Sequence, residues 1–287
     1  MNPGTVSKIL WHFTGGPLWN EILGKQENEP KPKELSFDIL LKILKSKQLR
    51  ISSYSELIRV LVPEISFWNW EERKIDKKYN IEQTIKSSPV SCLADIPIQH
   101  LDFHSERYGK FAIGFHRSSA IKNNFNPVFY SLINSPIMSS IYSGFSIINS
   151  STETFHIKSD LNQIETILGG IQNRVNELNT DAKPTNVKDF DFKSEIDEQI
   201  DNLENEIEVT KKSIANFIAF VKTFNEEEFN SIYCEREWRS ISPFNFTFDD
   251  IALIVLPREG GHFNNLIKQD IIPRDISIIA WEDLIEH

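Results

Sequence analysis

Short apolar runs separated by turn signals occupy both ends of the chain, and a sustained helical periodicity occupies its centre. Ile9 to Phe13 reads as a strand closed by Thr14-Gly15-Gly16-Pro17, since Gly and Pro punctuate elements. Ser36 is expected to cap a helix with an apolar face of Phe37, Leu40, Leu41 and Leu44. Leu49 to Ser52 reads as extended, and Pro89 to Leu93 as a buried strand ended by Asp95-Ile96-Pro97. A short polar helix or turn from His100 to Tyr108 precedes strands over Phe111 to Phe115 and Pro127 to Tyr130. Beyond Glu226-Glu227-Glu228, strands are expected within Ser231 to Ile241, Ile251 to Leu256 and Ile276 to Ala280. The outer parts together predict a sheet-based α+β fold.

In the centre, Leu161, Ile164, Leu168, Ile171, Val175 and Leu178 recur at alternating spacings of three and four. Ile196, Ile200, Leu203, Ile207, Thr210, Ile214, Phe217 and Val221 do the same, with Thr210 the one polar member. Such alternation sets each series along one seam of a helix. Asp181-Ala182-Lys183-Pro184 separates them as a helix stop. The pattern predicts a coiled-coil-like helical hairpin inserted into the sheet domain. The expected divisions are 1–156, 157–230 for the insertion, and 231–287. A short connection favours closure of the seam within the chain, the alternative being a homo-oligomer through the insertion.

Composition narrows the function. The 287 residues carry 31 Lys and Arg against 41 Asp and Glu, a net charge of -10. Residues 186–208 hold nine acidic and two basic side chains, net -7, so the insertion is expected to face solvent or a basic partner. The acidic balance excludes diffuse nucleic-acid binding, which needs clustered cations. No window approaches the ~20 apolar residues of a membrane span. The start of the chain lacks a basic-then-apolar signal, and two cysteines, Cys92 and Cys234, make no disulfide framework. A cytoplasmic, reducing setting is expected.

Two positions suggest chemistry. Glu235 and Glu237 would share one face of an extended strand, because side chains alternate with period two. Two carboxylates side by side are unfavourable in a core unless they meet a polar ligand; the plainer alternative is an edge strand showing charge to water. His12 lies between Trp11 and Phe13, as a structural histidine or as an imidazole holding a ribose hydroxyl. His100 and His104 have i, i+4 spacing but no third ligand nearby, so no metal is expected. Neither Gly15-Gly16 nor Gly260-Gly261 has the lysine of a phosphate loop.

His12-Phe13-Thr14 followed late in the chain by Glu235-Arg236-Glu237 resembles the ADP-ribosyltransferase fold, with Ser91 as the middle-strand element. The resemblance implies NAD as substrate. His12, Thr14, Ser91 and Tyr108 would bind it, with Tyr108 or Tyr130 stacking on nicotinamide. Glu237 would stabilise the ribose cation and Glu235 activate the acceptor, a protein or nucleic acid. The chain also resembles the AbiGi abortive-infection proteins through Trp11 to Gly16, Asp95-Ile96-Pro97, His104, Tyr108-Gly109, Gly114-Phe115 and Glu237-Trp238-Arg239. That resemblance covers about 1–130 and 231–287. Together they imply an NAD-dependent toxin of anti-phage abortive infection, paired with a cognate antitoxin. The alternative is a non-enzymatic antitoxin or interaction module that binds a cognate toxin.

Overall fold

The computed structural model describes residues 7–20, 25–27, 29–52, 55–150, 166, 169, 192–228 and 232–284. The expected first seam helix, Leu161 to Leu178, lies outside them. The described chain is mixed α and β. It divides into two compact units, one of residues 1–61, 82–135 and 216–287, the other of 62–81 and 136–215. In chain order the larger unit is interrupted over 62–81 and again over 136–215.

The strands in chain order are β1 (Ile9–Phe13), β2 (Trp19–Asn20), β3 (Lys25–Gln26), β4 (Gln48–Leu49), β5 (Leu57–Asn69), β6 (Lys74–Lys86), β7 (Ser91–Ala94) and β8 (Ala112–His116). They continue as β9 (Asn126–Pro127), β10 (Phe129–Leu132), β11 (Val221–Phe224), β12 (Glu237–Ser240), β13 (Phe244–Asn245), β14 (Ile251–Leu256) and β15 (Ser277–Ala280). Seven form the main sheet in the order β15-β14-β8-β1-β7-β12-β9. Its pairings are antiparallel apart from β14 with β15. The helices are α1 (Lys33–Ser46), α2 (Leu101–Tyr108), α3 (Arg117–Lys122), α4 (Pro136–Ser150), α5 (Phe192–Ile218) and α6 (His262–Lys268).

Strand alternation sorts the core into two faces. Leu10, Leu93, Ile113, Phe115 and Ile254 pack with Phe37, Leu40, Leu41 and Leu44 of α1 on one side. Trp11, Ala112, Leu253 and Val255 pack with Ile96, Leu101 and Trp281 on the other. The expected apolar face of α1 is the one that is buried, although the helix begins at Lys33. Ser36 lies inside it, its hydroxyl donating to the Pro32 carbonyl at 3.0 Å. A close approach fixes the sheet centre: a Cβ on Gly114 would fall 2.7 Å from Ile9 and 2.9 Å from the Trp11 ring. Trp11 also donates its indole N–H to the Ile96 carbonyl at 2.9 Å.

Three elements differ from the expected pattern. The strand expected within Ser231 to Ile241 begins only at Glu237, because Arg236 adopts φ 42°, a left-handed turn that interrupts extended backbone. Val221 belongs to β11, paired in parallel with β10, and not to the helical seam. The hairpin of β5 and β6 follows period-two runs (Ile58, Val60 and Val62; Ile75, Tyr79 and Ile81) whose interspersed charges disguise them.

The two kinds of apolar position respond differently to truncation. Leu40 is fully buried, so Leu40→Ala is expected to cost about 2–5 kcal/mol. Leu203, in the α5 seam, is 49% exposed, so Leu203→Ala is expected to cost less than about 1 kcal/mol. Urea unfolding of the two variants checks both values.

Candidate functional site

The main sheet and β11 bring a cluster of charges together in the larger unit. Registers Trp11↔Ala94 and Ala94↔Glu237 set these three side chains on one face of the sheet. Arg239, two residues on, is on that face and fully buried. Its guanidinium donates to Glu237 Oε2 at 2.8 Å, Glu56 Oε2 at 2.6 Å and the Ala219 carbonyl at 2.8 Å. Lys222, from β11, reaches Glu237 Oε2 at 3.2 Å and also pairs with Glu235. Tyr108 donates its hydroxyl to Glu235 Oε1 at 2.8 Å, and Arg107 lies 3.5 Å from the same oxygen. The Glu237 backbone N–H donates to the Tyr130 hydroxyl at 2.7 Å.

Glu235 precedes the strand, separated from it by the Arg236 turn. The two carboxylates meet because Lys222 gathers both, not because they alternate on one strand. The Arg236 guanidinium turns away to Asp95, 3.3 Å distant.

A cavity of about 120 Å³ adjoins this cluster, and His12, His104, Tyr108, Glu235 and Glu237 are among its lining residues. Four of the six expected site residues therefore gather at one place. The other two do not. Thr14 donates its hydroxyl to the Ser36 carbonyl at 2.8 Å, clasping the end of β1 to α1. Ser91 donates to the Ser242 carbonyl at 3.0 Å. Both hydroxyls are consumed by backbone carbonyls, a role that residue type alone does not distinguish from ligand binding.

His12 is placed differently from expectation too. It alternates with Trp11 along β1, so the registers set it on the face opposite Glu237. It borders the cavity where β1 and β7, joined through a single paired position, separate. Its Nδ1 lies 3.1 Å from the Cys92 carbonyl, an acceptor, so the proton sits on that nitrogen. The cavity is well below the ~300 Å³ at the small end of preformed ligand pockets.

Electrostatics tie the carboxylates and cations of the cluster together, although Arg239 Nε is buried without a hydrogen-bond partner. Burial opposes ionisation of Glu237, but the adjacent Arg239 and Lys222 outweigh it and hold the carboxyl well below the usual carboxylate range. Burial likewise disfavours the Lys222 ammonium, yet Glu237 and Glu235 raise its pKa well above normal. Burial pushes the Tyr108 hydroxyl up, with Glu235 adding to the effect. It drags His104 down to about 4, the Glu235 charge opposing only in part. His12 is lowered to about 4, again chiefly by burial. His104 stacks on Tyr108 at 5.9 Å, and its Nε2 is buried without a hydrogen-bond partner.

Lys222, Glu56 and Arg239 complete the cluster, and sequence reasoning assigned none of them a role. The available signal was Val221-Lys222-Thr223-Phe224, whose alternation fits a strand at least as well as a helix end.

Glu237→Gln removes the charge that faces two buried cations. It is expected to destabilise the protein by about 3–5 kcal/mol, as breaking one partner of a buried pair does, and denaturant unfolding measures this. The histidines set an acid limb. His104 falls from 6.5 to about 4 in the folded state, so the unfolded chain takes up the proton first. Stability is therefore expected to decline as pH drops from 6.5 towards 4. His104→Phe should make that limb shallower in melting curves recorded across the range.

No curated protein and no solved structure matches the chain, so the expected ADP-ribosyltransferase core gains no structural neighbour. Residues 55–259 match the model of the family described as "Putative abortive phage resistance protein AbiGi, antitoxin". The match runs through the interrupting segment, which the sequence resemblance had left aside, and it begins beyond β1 and His12. An antitoxin is the opposite member of the pair from the NAD-dependent toxin expected above, and that expectation is corrected accordingly. Extending over more than half of its length, the match places this chain in the AbiGi family of abortive phage resistance proteins.

Proposed function

We propose that the protein is a non-enzymatic antitoxin that restrains a cognate toxin by direct protein contact during abortive infection. The family match carries this reading. The cavity chemistry supports it, because Glu235 and Glu237 are held by Lys222, Arg239 and Tyr108 of the same chain. Carboxylates held in this way act as structural anchors, fixing β12 against β11 and α2. No helix among the described residues is long and apolar enough to cross a membrane, and we place the protein in the cytoplasm with its toxin.

Co-expression with the cognate toxin protein tests the reading. Growth arrest by that protein should be relieved by the wild-type chain. Tyr108→Phe removes the one hydroxyl that bridges the cavity to Glu235, at an expected stability cost of about 1 kcal/mol. It should protect as well as wild type. Loss of protection by Tyr108→Phe, with a melting temperature lowered by no more than that cost accounts for, would overturn the non-enzymatic reading in favour of chemistry at the cavity.

A further inference from the structure

A groove of about 630 Å³ in the larger unit is lined by the second half of α1, by β4 and by His12 of β1. Its volume falls within the ~300–1,000 Å³ of small-molecule sites, unlike the cavity beside Glu237. Ile39, Ile43 and Leu49 give it an apolar lining, and Ile43 and Leu49 are buried. Lys42, Lys45 and Arg50 are its charged residues, and all three are exposed. No carboxylate among the described residues lines it.

The charge of this groove is uncompensated. Residues 39–55 hold four basic side chains and no acidic one, in a chain of net charge -10. One of the four, Lys47, is placed over the Phe248 ring at 4.8 Å. The side chains of Lys42, Lys45 and Arg50 make no ion pair among the described residues. Asp38, one turn before Lys42, borders a different groove with Glu34 and His262. Lys42 and Lys45 are neighbours on the helix surface, and like charges so placed repel. The carbonyl end of α1 favours Lys45, but Lys42 precedes the last turn and Arg50 follows β4. An anion is therefore the complement of the groove. A phosphate group suits it better than a run of carboxylates, because it sets about two negative charges and three acceptor oxygens on one centre. The Arg50 fork can hold two of those oxygens at once. The acidic balance of the chain disfavours a polymeric phosphate such as nucleic acid.

We propose that this groove is a binding site for a phosphorylated small molecule with an apolar ring. The phosphate lies against Lys42, Lys45 and Arg50, and the ring lies on Ile39, Ile43 and Leu49. The Gln48 carboxamide is held in place by donating to Asn245 Oδ1 at 2.8 Å, so its oxygen is left to accept from a polar edge of the ligand. The site goes beyond the antitoxin reading and does not depend on it. It is also separate from the Glu235 and Glu237 cluster, since His12 alone among the described residues borders both hollows.

Titration calorimetry on the full chain tests the site, with naphthyl phosphate, naphthol and inorganic phosphate as probes. Naphthyl phosphate should bind at least about tenfold tighter than either of its parts, because it alone fills both halves of the groove. Its binding should weaken as salt is raised. Lys42→Ala with Arg50→Ala should lower its affinity at least about tenfold and leave naphthol binding unchanged. The melting temperature should stay close to wild type, because both side chains are exposed. Inorganic phosphate that binds as tightly as naphthyl phosphate would reduce the groove to a charged surface. Naphthol that binds as tightly would reduce it to an apolar one, and either result overturns the proposal. So does naphthyl phosphate binding that the double substitution leaves intact, or no binding at all. Tighter binding of a synthetic peptide of alternating Glu and Leu would overturn it in favour of a protein partner. Failure of the wild-type chain to relieve growth arrest bears on the antitoxin reading alone.

Discussion

The guanidinium of Arg239 sits in the interior with no solvent contact, and the larger unit is arranged to make that tolerable. A buried cation is costly unless it is paired and hydrogen-bonded. Glu237 comes from the same strand, Glu56 from the approach to β5, and the Ala219 carbonyl from the turn after α5. Lys222 then balances the second carboxylate of the cluster, Glu235, which the Arg236 turn delivers from outside the sheet. Each charge is acceptable only because the others are in place. Such a network is weak evidence for added stability but strong evidence for position. It fixes β12, β11 and α2 relative to one another, and the small cavity lies among the side chains they supply.

Much of the fold was legible because the signals were local. Strand β14 occupies the residues that its unbroken apolar run indicates. The buried face of α1 is the one that its spacing defines. His12, Tyr108, Glu235 and Glu237 border one cavity, but His12 and Glu237 lie on opposite faces of the sheet, and neither that placement nor the part the glutamates play was legible. A glutamate pair has the same spacing whether it waits for a ligand or is locked by Lys222, and the lysine that decides is set by tertiary contact. Thr14 and Ser91 failed for a related reason, since a hydroxyl gives no sign of which backbone carbonyl will take its proton. The left-handed backbone at Arg236, a residue type without preference for that conformation, broke a strand that alternation alone would continue.

The family match extends over the interrupting segment as well as over part of the sheet. It runs over residues 55–259, and α5, a helix of 27 residues, falls within it. The core spends its charges internally, pairing each buried carboxylate with a cation of the same chain. On α5, by contrast, Leu203 and Phe217 stay about half exposed.

The Arg239–Glu56 pair spans 183 residues of sequence, and this separation bears on how the molecule comes into being. Contacts between distant residues close late, because the intervening chain must first be gathered at an entropic cost. During synthesis Glu56 emerges long before Lys222 and Arg239, so the first part of the sheet exists for a time without the cations that complete it. The core is thus finished only when the segment after α5 has returned. Until then the nascent chain offers proteases and chaperones an open edge at β7, the strand on which β12 will finally settle.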